Sequence, residues 1–156
     1  MQIQTFKVAT THPGQGTRVE ITARGHRIIA DEPTELGGTD TGANPVEVLL
    51  GALGACQSIV AQVHAKKFGV SYEELRIELE GDIDLDGFFD VSNVRAGYSE
   101  IRYKYFIKTA ESEEKLRPFL DFVARKCPVG DTIENAVHLV SAGFEIEKPV
   151  SAAVIG

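Results

Sequence analysis

An α+β fold follows from three features of the 156-residue sequence. Segments of alternating apolar and polar residues succeed one another with no helical stretch between them, which implies antiparallel neighbours. One long segment, Val46 to Phe68, is apolar almost all round. Helical character then returns late, after the last pair of alternating segments.

The elements are read in chain order. Ile3 to Val8 and Thr17 to Ala23 are expected strands; in the second, Val19, Ile21 and Ala23 alternate with Arg18, Glu20 and Thr22. His26 to Ala30 is a third strand, closed by Asp31-Glu32-Pro33, and the polar, glycine-rich stretch Thr34 to Ala43 is a loop. Asn44 suits an N-cap and Pro45 the first helical position. The helix then runs about six turns, to a C-terminal cap at Gly69. Leu49, Leu53, Cys56, Val60 and Val63 share one stripe of it, while Val46, Leu50, Ala52, Ile59 and Ala61 make its other sides apolar. A helix without a polar face has to be enclosed. One small sheet covers only part of it, so a second layer is expected from a partner subunit.

Leu75 to Ile83 alternates well, as do Ile101, Tyr103, Tyr105 and Ile107. The loop between them, Asp84 to Tyr98, carries a Phe88-Phe89 pair that either caps a pocket or a partner surface or packs on the core, the last being preferred. Ser112 with Glu113 and Glu114 starts a second helix reaching about Lys126, with a kink expected at Pro118. After Cys127-Pro128 come a short helix, Asp131 to Val137, and a last strand within His138 to Glu147; the tail after Pro149 is expected to fray. Residues 1–156 form a single domain, without internal repeats.

Composition narrows the function classes. Lys and Arg number 16 against 23 Asp and Glu, a net charge of −7, which argues against a protein that neutralises nucleic-acid phosphates. No apolar run reads as a bilayer span, and Met1 to Val8 lacks the basic-then-apolar pattern of a secretory signal, so a cytoplasmic protein with no membrane partner is expected.

There are two cysteines, Cys56 and Cys127, and a structural disulfide is not expected in a reducing compartment. Two buried, inert thiols are one reading. The other is chemistry. Cys56 lies on an apolar helix face, where burial alone raises a thiol's pKa, so a reactive Cys56 needs a cation from elsewhere, such as Arg24 or Arg27. Cys127 precedes Pro128 near a helix N-terminus, with Arg125 and Lys126 beside it; local sequence makes it the better candidate for a low pKa. His12, His26, His64 and His138 form no metal spacing, and Gly37-Gly38-Thr39-Asp40-Thr41-Gly42 lacks the Gly-Lys-Ser/Thr ending of a phosphate loop, so no metal or cofactor is expected.

Two stretches resemble a known family. One is Glu35-Leu36-Gly37-Gly38, then Gly42-Ala43-Asn44-Pro45, then an apolar helix reaching Ala55-Cys56. The other is Cys127-Pro128-Val129 with Thr132 following. Together they resemble the OsmC/Ohr proteins, osmotically inducible protein C and the organic hydroperoxide resistance proteins, over about Thr17 to Glu147. The resemblance implies an OsmC-like α+β fold, with antiparallel sheets wrapping long central helices in an intertwined homodimer. It also implies a thiol-dependent peroxidase. Cys56 would attack an organic hydroperoxide and become a sulfenic acid, Cys127 would resolve it as a Cys56–Cys127 disulfide, and an external thiol or dithiol would reduce the bridge.

The sequence departs from that pattern in places. Peroxidase members carry a Glu directly after Asn-Pro, paired with the activating arginine; here that position is Val46, and Glu47 follows, turned by about 100°. Arg24 and Arg27 are the candidate activators. Gln57 stands where peroxidases often have Phe. These departures resemble the broader OsmC-like branch and keep open a non-peroxidatic redox sensor or a binder of small thiols or persulfides.

Overall fold

A computed structural model describes residues 2–135 and 137–147. Its element order is β1 (Ala9–Thr11), β2 (Val19–Ala23), β3 (His26–Ala30), α1 (Pro45–His64), β4 (Glu74–Asp82), α2 (Leu85–Phe88), β5 (Glu100–Lys108), α3 (Glu113–Lys126) and α4 (Pro128–Glu134). The strands form two antiparallel sheets, β1-β2-β3 and β4-β5.

The second sheet carries the core. Its register sets Leu75 opposite Ile107, Ile77 opposite Tyr105 and Leu79 opposite Tyr103, so the alternation read from sequence puts one apolar row toward the helices. α1 packs on β4, α3 and α4. Ala61, Val70, Leu116, Phe119 and Val123 are buried together there, flanked by Phe68, Leu75 and Ile107. Pro118 lies on the exposed side of α3, where its missing N–H leaves no buried group unpaired.

The first sheet is different. Among the described residues it shares no comparable packing with α1. Its link to the helix is the loop 31–44, gathered around Asp31. This buried carboxylate accepts from the hydroxyls of Thr17 (2.7 Å), Thr39 (2.6 Å) and Thr41 (2.8 Å). It also accepts from the N–H groups of Glu32, Thr39 and Thr41. The Thr39 hydroxyl, followed by that of Thr17, holds the carboxyl well below the usual carboxylate range. The glycines of this loop answer to the same close packing: a Cβ at Gly38 would run into the Glu32 carbonyl, and one at Gly42 into that of Ile29. The loop delivers the chain to Asn44, whose side chain accepts from Glu47 N–H at 2.9 Å while the Glu47 carboxylate accepts from Asn44 N–H at 2.9 Å. That reciprocal pair is a capping box, closed by Pro45 at the first helical position.

Several expectations are corrected. The first strand is Ala9–Thr11 rather than Ile3 to Val8, because only residues 9–11 pair with β2. No strand forms over 137–147; Leu139, Val140, Phe144 and Ile146 are exposed and pair with no strand among the described residues. The last helix starts at Pro128, three residues before the expected Asp131, and ends at Glu134. Phe88 and Phe89 do not join the core; both are exposed and meet edge to face at 4.9 Å between ring centres. α1 and the 3-10 turn after it, Pro45–Phe68, are together long and apolar enough to cross a bilayer, a run the sequence reading missed; here they form the central helix of a folded domain. The tail after Pro149 lies outside the described residues.

The expectation of a second layer over α1 concerns its outer side. Ile59 and Val63 are 64% and 67% exposed, and Ala52 and Ala55 on the same side are exposed too.

Candidate active site

Cys56 and Cys127 come together. Cys56 sits on α1 at the border between its packed face (Leu53, Gln57, Ala61) and its bare one, and is half-buried. Cys127 is wholly buried at the junction of α3 and α4. The two thiols are near enough for Cys56 to help raise the pKa of Cys127. The fold achieves this because α4 packs back on α1: Gly130 approaches both Cys127 and the Leu53 side chain, and a Cβ there would lie 3.5 Å from Cys127 Cβ and 3.6 Å from Leu53 Cδ1.

Cys127 is itself the N-cap of α4, its sulfur accepting from Gly130 N–H at 3.3 Å. The local reading of a lowered pKa is therefore corrected. Burial pushes this thiol up; the Gly130 N–H pulls it down, and the adjacent Cys56 adds to the rise. Desolvation of the thiolate outweighs one short helix terminus.

The remaining sequence candidates lie elsewhere. The Glu47 carboxylate is engaged with Asn44 N–H at the start of α1. Arg24 occupies a left-handed turn position (φ 51°) between β2 and β3, and Arg27 pairs with Glu20 on the exposed sheet. Among the described residues, the sheet that carries Arg27 shares no substantial packing with α1. Among the described residues, no group of three His, Cys, Asp or Glu side chains is placed to hold a metal ion.

The structure adds residues that the sequence reading passed over. Tyr103 and Tyr105 on β5 have their hydroxyls raised chiefly by burial, then by Glu134 and Asp121 at Tyr103 and by Tyr103 at Tyr105, with Cys127 adding to each. The Tyr105 hydroxyl is buried and has no hydrogen-bond partner among the described residues. Period-two alternation with Ile101 and Ile107 was the signal that could have placed these tyrosines on the helix-facing side. Gln57, next to Cys56, is 2% exposed, and its Oε1 likewise lacks a partner among the described residues. Tyr98, at the end of the β4–β5 loop, donates to the Val46 carbonyl at 3.0 Å and ties that loop to the start of α1.

Comparison with known proteins identifies the family of the chain. The chain is 28% identical over 104 residues to a hydroperoxide reductase of Mycoplasma pneumoniae, covering 65% of this chain and 69% of that protein. The crystal structure of an OsmC-like protein from Mycoplasma pneumoniae superposes with a TM-score of 0.73 at 21% identity, over 86% of this chain and 91% of that one. An organic hydroperoxide resistance protein OsmC from Legionella pneumophila gives 0.64 at 19% identity, over 85% and 91%. The profile of the family described as OsmC-like protein matches residues 38–141, a span that holds both cysteines, the Asn-Pro helix start and the Cys-Pro helix start. The chain belongs to the OsmC-like protein family.

Proposed function

We propose that this protein is a thiol-dependent hydroperoxide reductase in which Cys56 attacks and Cys127 resolves. The meeting of two thiols from distant parts of the chain carries the reading. Their unequal burial supports the order of events. Half-buried Cys56 is open to an incoming peroxide, whereas buried Cys127, with its raised pKa, stays a thiol until an oxidised sulfur forms beside it.

In the proposed cycle the Cys56 thiolate attacks the distal oxygen of ROOH. The O–O bond breaks, and RO⁻ takes a proton and leaves as the alcohol. Cys56 is then a sulfenic acid. The Cys127 sulfur attacks it, a disulfide forms, and hydroxide leaves with the Cys127 proton as water. Two external thiol groups, from a dithiol or from two thiols, reduce the bridge by exchange. The apolar residues beside Cys56 favour organic hydroperoxides over hydrogen peroxide.

The reading includes a homodimer in the cytosol. The bare stripe of Ile59 and Val63 on α1, and a three-stranded sheet without substantial helix packing among the described residues, are complementary needs. A second copy would satisfy both, and would offer Arg24 or Arg27 of the partner subunit to Cys56 as the activating cation. The name of the Mycoplasma pneumoniae relative supports the chemistry.

One observation favours the second reading, a non-peroxidatic redox sensor or a binder of small thiols or persulfides. Glu47 is already committed to its capping box, and Val46 holds the preceding position. Cumene hydroperoxide with a dithiol separates the two. Rapid turnover that disappears in Cys56→Ser is the expected result. Slow, stoichiometric modification without turnover selects the second reading, and turnover that survives Cys56→Ser ends the first.

A further inference from the structure

One buried polar group near the thiols has no part in the cycle above. The Tyr105 hydroxyl is enclosed and unpaired among the described residues. Leaving such a group unpaired costs stability, and a phenylalanine ring would fill the same place without that cost. Its surroundings narrow what it serves. The register of β4 and β5 sets Tyr103 and Tyr105 on the helix-facing side with Leu79 and Ile77. Tyr105 lies against the later turns of α3, where one cavity is lined by Tyr103, Tyr105, Leu120, Asp121 and Ala124 together. Cys127 follows within a turn, continuing the buried stripe of Leu116, Phe119 and Val123, and its N–H donates to the Ala124 carbonyl at 3.4 Å. No solvent reaches the hydroxyl, so any partner must already stand inside the core. The Cys127 sulfur does: it is wholly buried, and near enough for its charge to act on Tyr105. That sulfur is short of support as a thiolate. Gly130 N–H reaches it at 3.3 Å, while Arg125 and Lys126 before it are exposed. The titratable groups that act on this spot are Cys56 of α1, Tyr103 and Tyr105 of β5, Asp121 of α3 and Glu134 of α4, none of them a cation. Negative charge there needs a hydrogen-bond donor.

We propose that Tyr105 serves the resolving step: its hydroxyl donates a hydrogen bond to the Cys127 sulfur while that sulfur attacks the Cys56 sulfenic acid. The inference rests on the thiol-redox reading above. The Cys127 S–H bond breaks, the S–S bond forms, and the S–O bond of the sulfenic acid breaks. Hydroxide leaves with the Cys127 proton as water. Tyr105 keeps its own proton throughout. Its hydrogen bond is made as negative charge gathers on the sulfur and is released once the disulfide has formed, so it is stronger in the transition state than in the resting dithiol. That accounts for a hydroxyl left unpaired in the reduced protein. Tyr103, its neighbour at 5.5 Å between ring centres, is 43% exposed and supplies an internal control.

The test mixes the reduced full chain with cumene hydroperoxide in a stopped-flow instrument and reads two rates. One is loss of the Cys56 thiol, which depends on peroxide concentration; the other is disulfide formation, which does not. Tyr105→Phe should leave the first rate unchanged and slow the second about tenfold, the value of one hydrogen bond to a charged group. The pH profile of the second rate should move upward. Urea unfolding should show the variant at least as stable as the wild type, because an unpaired hydroxyl has been removed. Tyr103→Phe should resolve at the wild-type rate. Resolution at the wild-type rate in Tyr105→Phe, or a slowing that leaves the pH profile where it was, overturns the proposal. A second arm needs no peroxide and keeps the assignment separable from the redox reading. Ultraviolet absorbance of the thiolate is followed against pH in Cys56→Ser and in Cys56→Ser/Tyr105→Phe, each corrected with its Cys127→Ser counterpart. Loss of the hydroxyl should move the Cys127 midpoint upward, which supports the assignment even if the wild type never turns over peroxide. An unmoved midpoint refutes it even if the wild type does.

Discussion

The protein starts two helices in the same way and puts the starts to different use. At Asn44-Pro45 the cap is an amide oxygen that accepts the N–H of Glu47 at 2.9 Å. At Cys127-Pro128 the cap is a sulfur that accepts the N–H of Gly130 at 3.3 Å. Both have proline at the first helical position and an extended cap residue, ψ 164° at Asn44 and 112° at Cys127. The first cap is near the surface and draws in Glu47 as its reciprocal partner. The second is wholly buried and faces another thiol. The same local grammar therefore serves architecture at one helix and holds a buried sulfur near a second thiol at the other. Burial and the tertiary neighbour decide which.

Substitution at the sulfur cap should produce the largest effect. Serine is a preferred N-cap, so Cys127→Ser should keep α4 in place while removing the resolving thiol. Peroxide turnover with a dithiol should collapse to about one round per Cys56, with the melting temperature little changed. A fall in melting temperature that parallels the fall in activity would mean that the sulfur matters mainly as a cap.

Next in size is Asn44→Ala. It removes an acceptor from the exposed cap and should cost about 1 kcal/mol of stability, measured by urea unfolding, with peroxide turnover retained in the folded fraction. Glu47→Gln should do less still. A glutamine completes the capping box as well as glutamate does, so stability and turnover should both hold. A large loss of turnover at unchanged stability would instead make Glu47 part of the chemistry.

The pH response sharpens the contrast between the two thiols. Burial raises Cys127 in the folded protein, so folding favours its neutral form. The sign follows from linkage: this contribution is fully present below the ordinary thiol pKa of about 8.5 and is lost as pH rises through the folded value. The stability gap between wild type and Cys127→Ser should be flat below about pH 8 and should move against the wild type above it. Over the same range iodoacetamide should label Cys56 before Cys127. Simultaneous labelling would contradict the difference in burial.

Much of this fold was legible because periodicity is local. β3 spans the expected His26 to Ala30, and β4 and β5 fall within a residue of the expected bounds. Asn44, Pro45 and Gly69 mark α1 and the 3-10 turn after it as the sequence suggested. What failed depended on something outside the segment. The apolar residues of Ile3 to Val8 and of 138–147 do not make a strand without a neighbour to pair with. The Phe88-Phe89 pair carries no local sign that it faces outward. At the site, the cysteine pairing came only through family resemblance, because no spacing rule links two residues so far apart. The low pKa read for Cys127 used the helix terminus, which sequence reveals, and missed the burial, which it does not. Gln57 was noted as a departure, but only the fold shows that its oxygen is buried and without a partner among the described residues.

The central claim is that peroxide joins Cys56 to Cys127. The direct measurement is mass spectrometry of the intact and digested protein after one equivalent of cumene hydroperoxide, with no reductant present. The account predicts loss of two hydrogens and a cross-linked peptide pair containing Cys56 and Cys127, reversed by dithiothreitol. Two thiols that both remain titratable, or an added oxygen on one cysteine with no linked peptide, would contradict it.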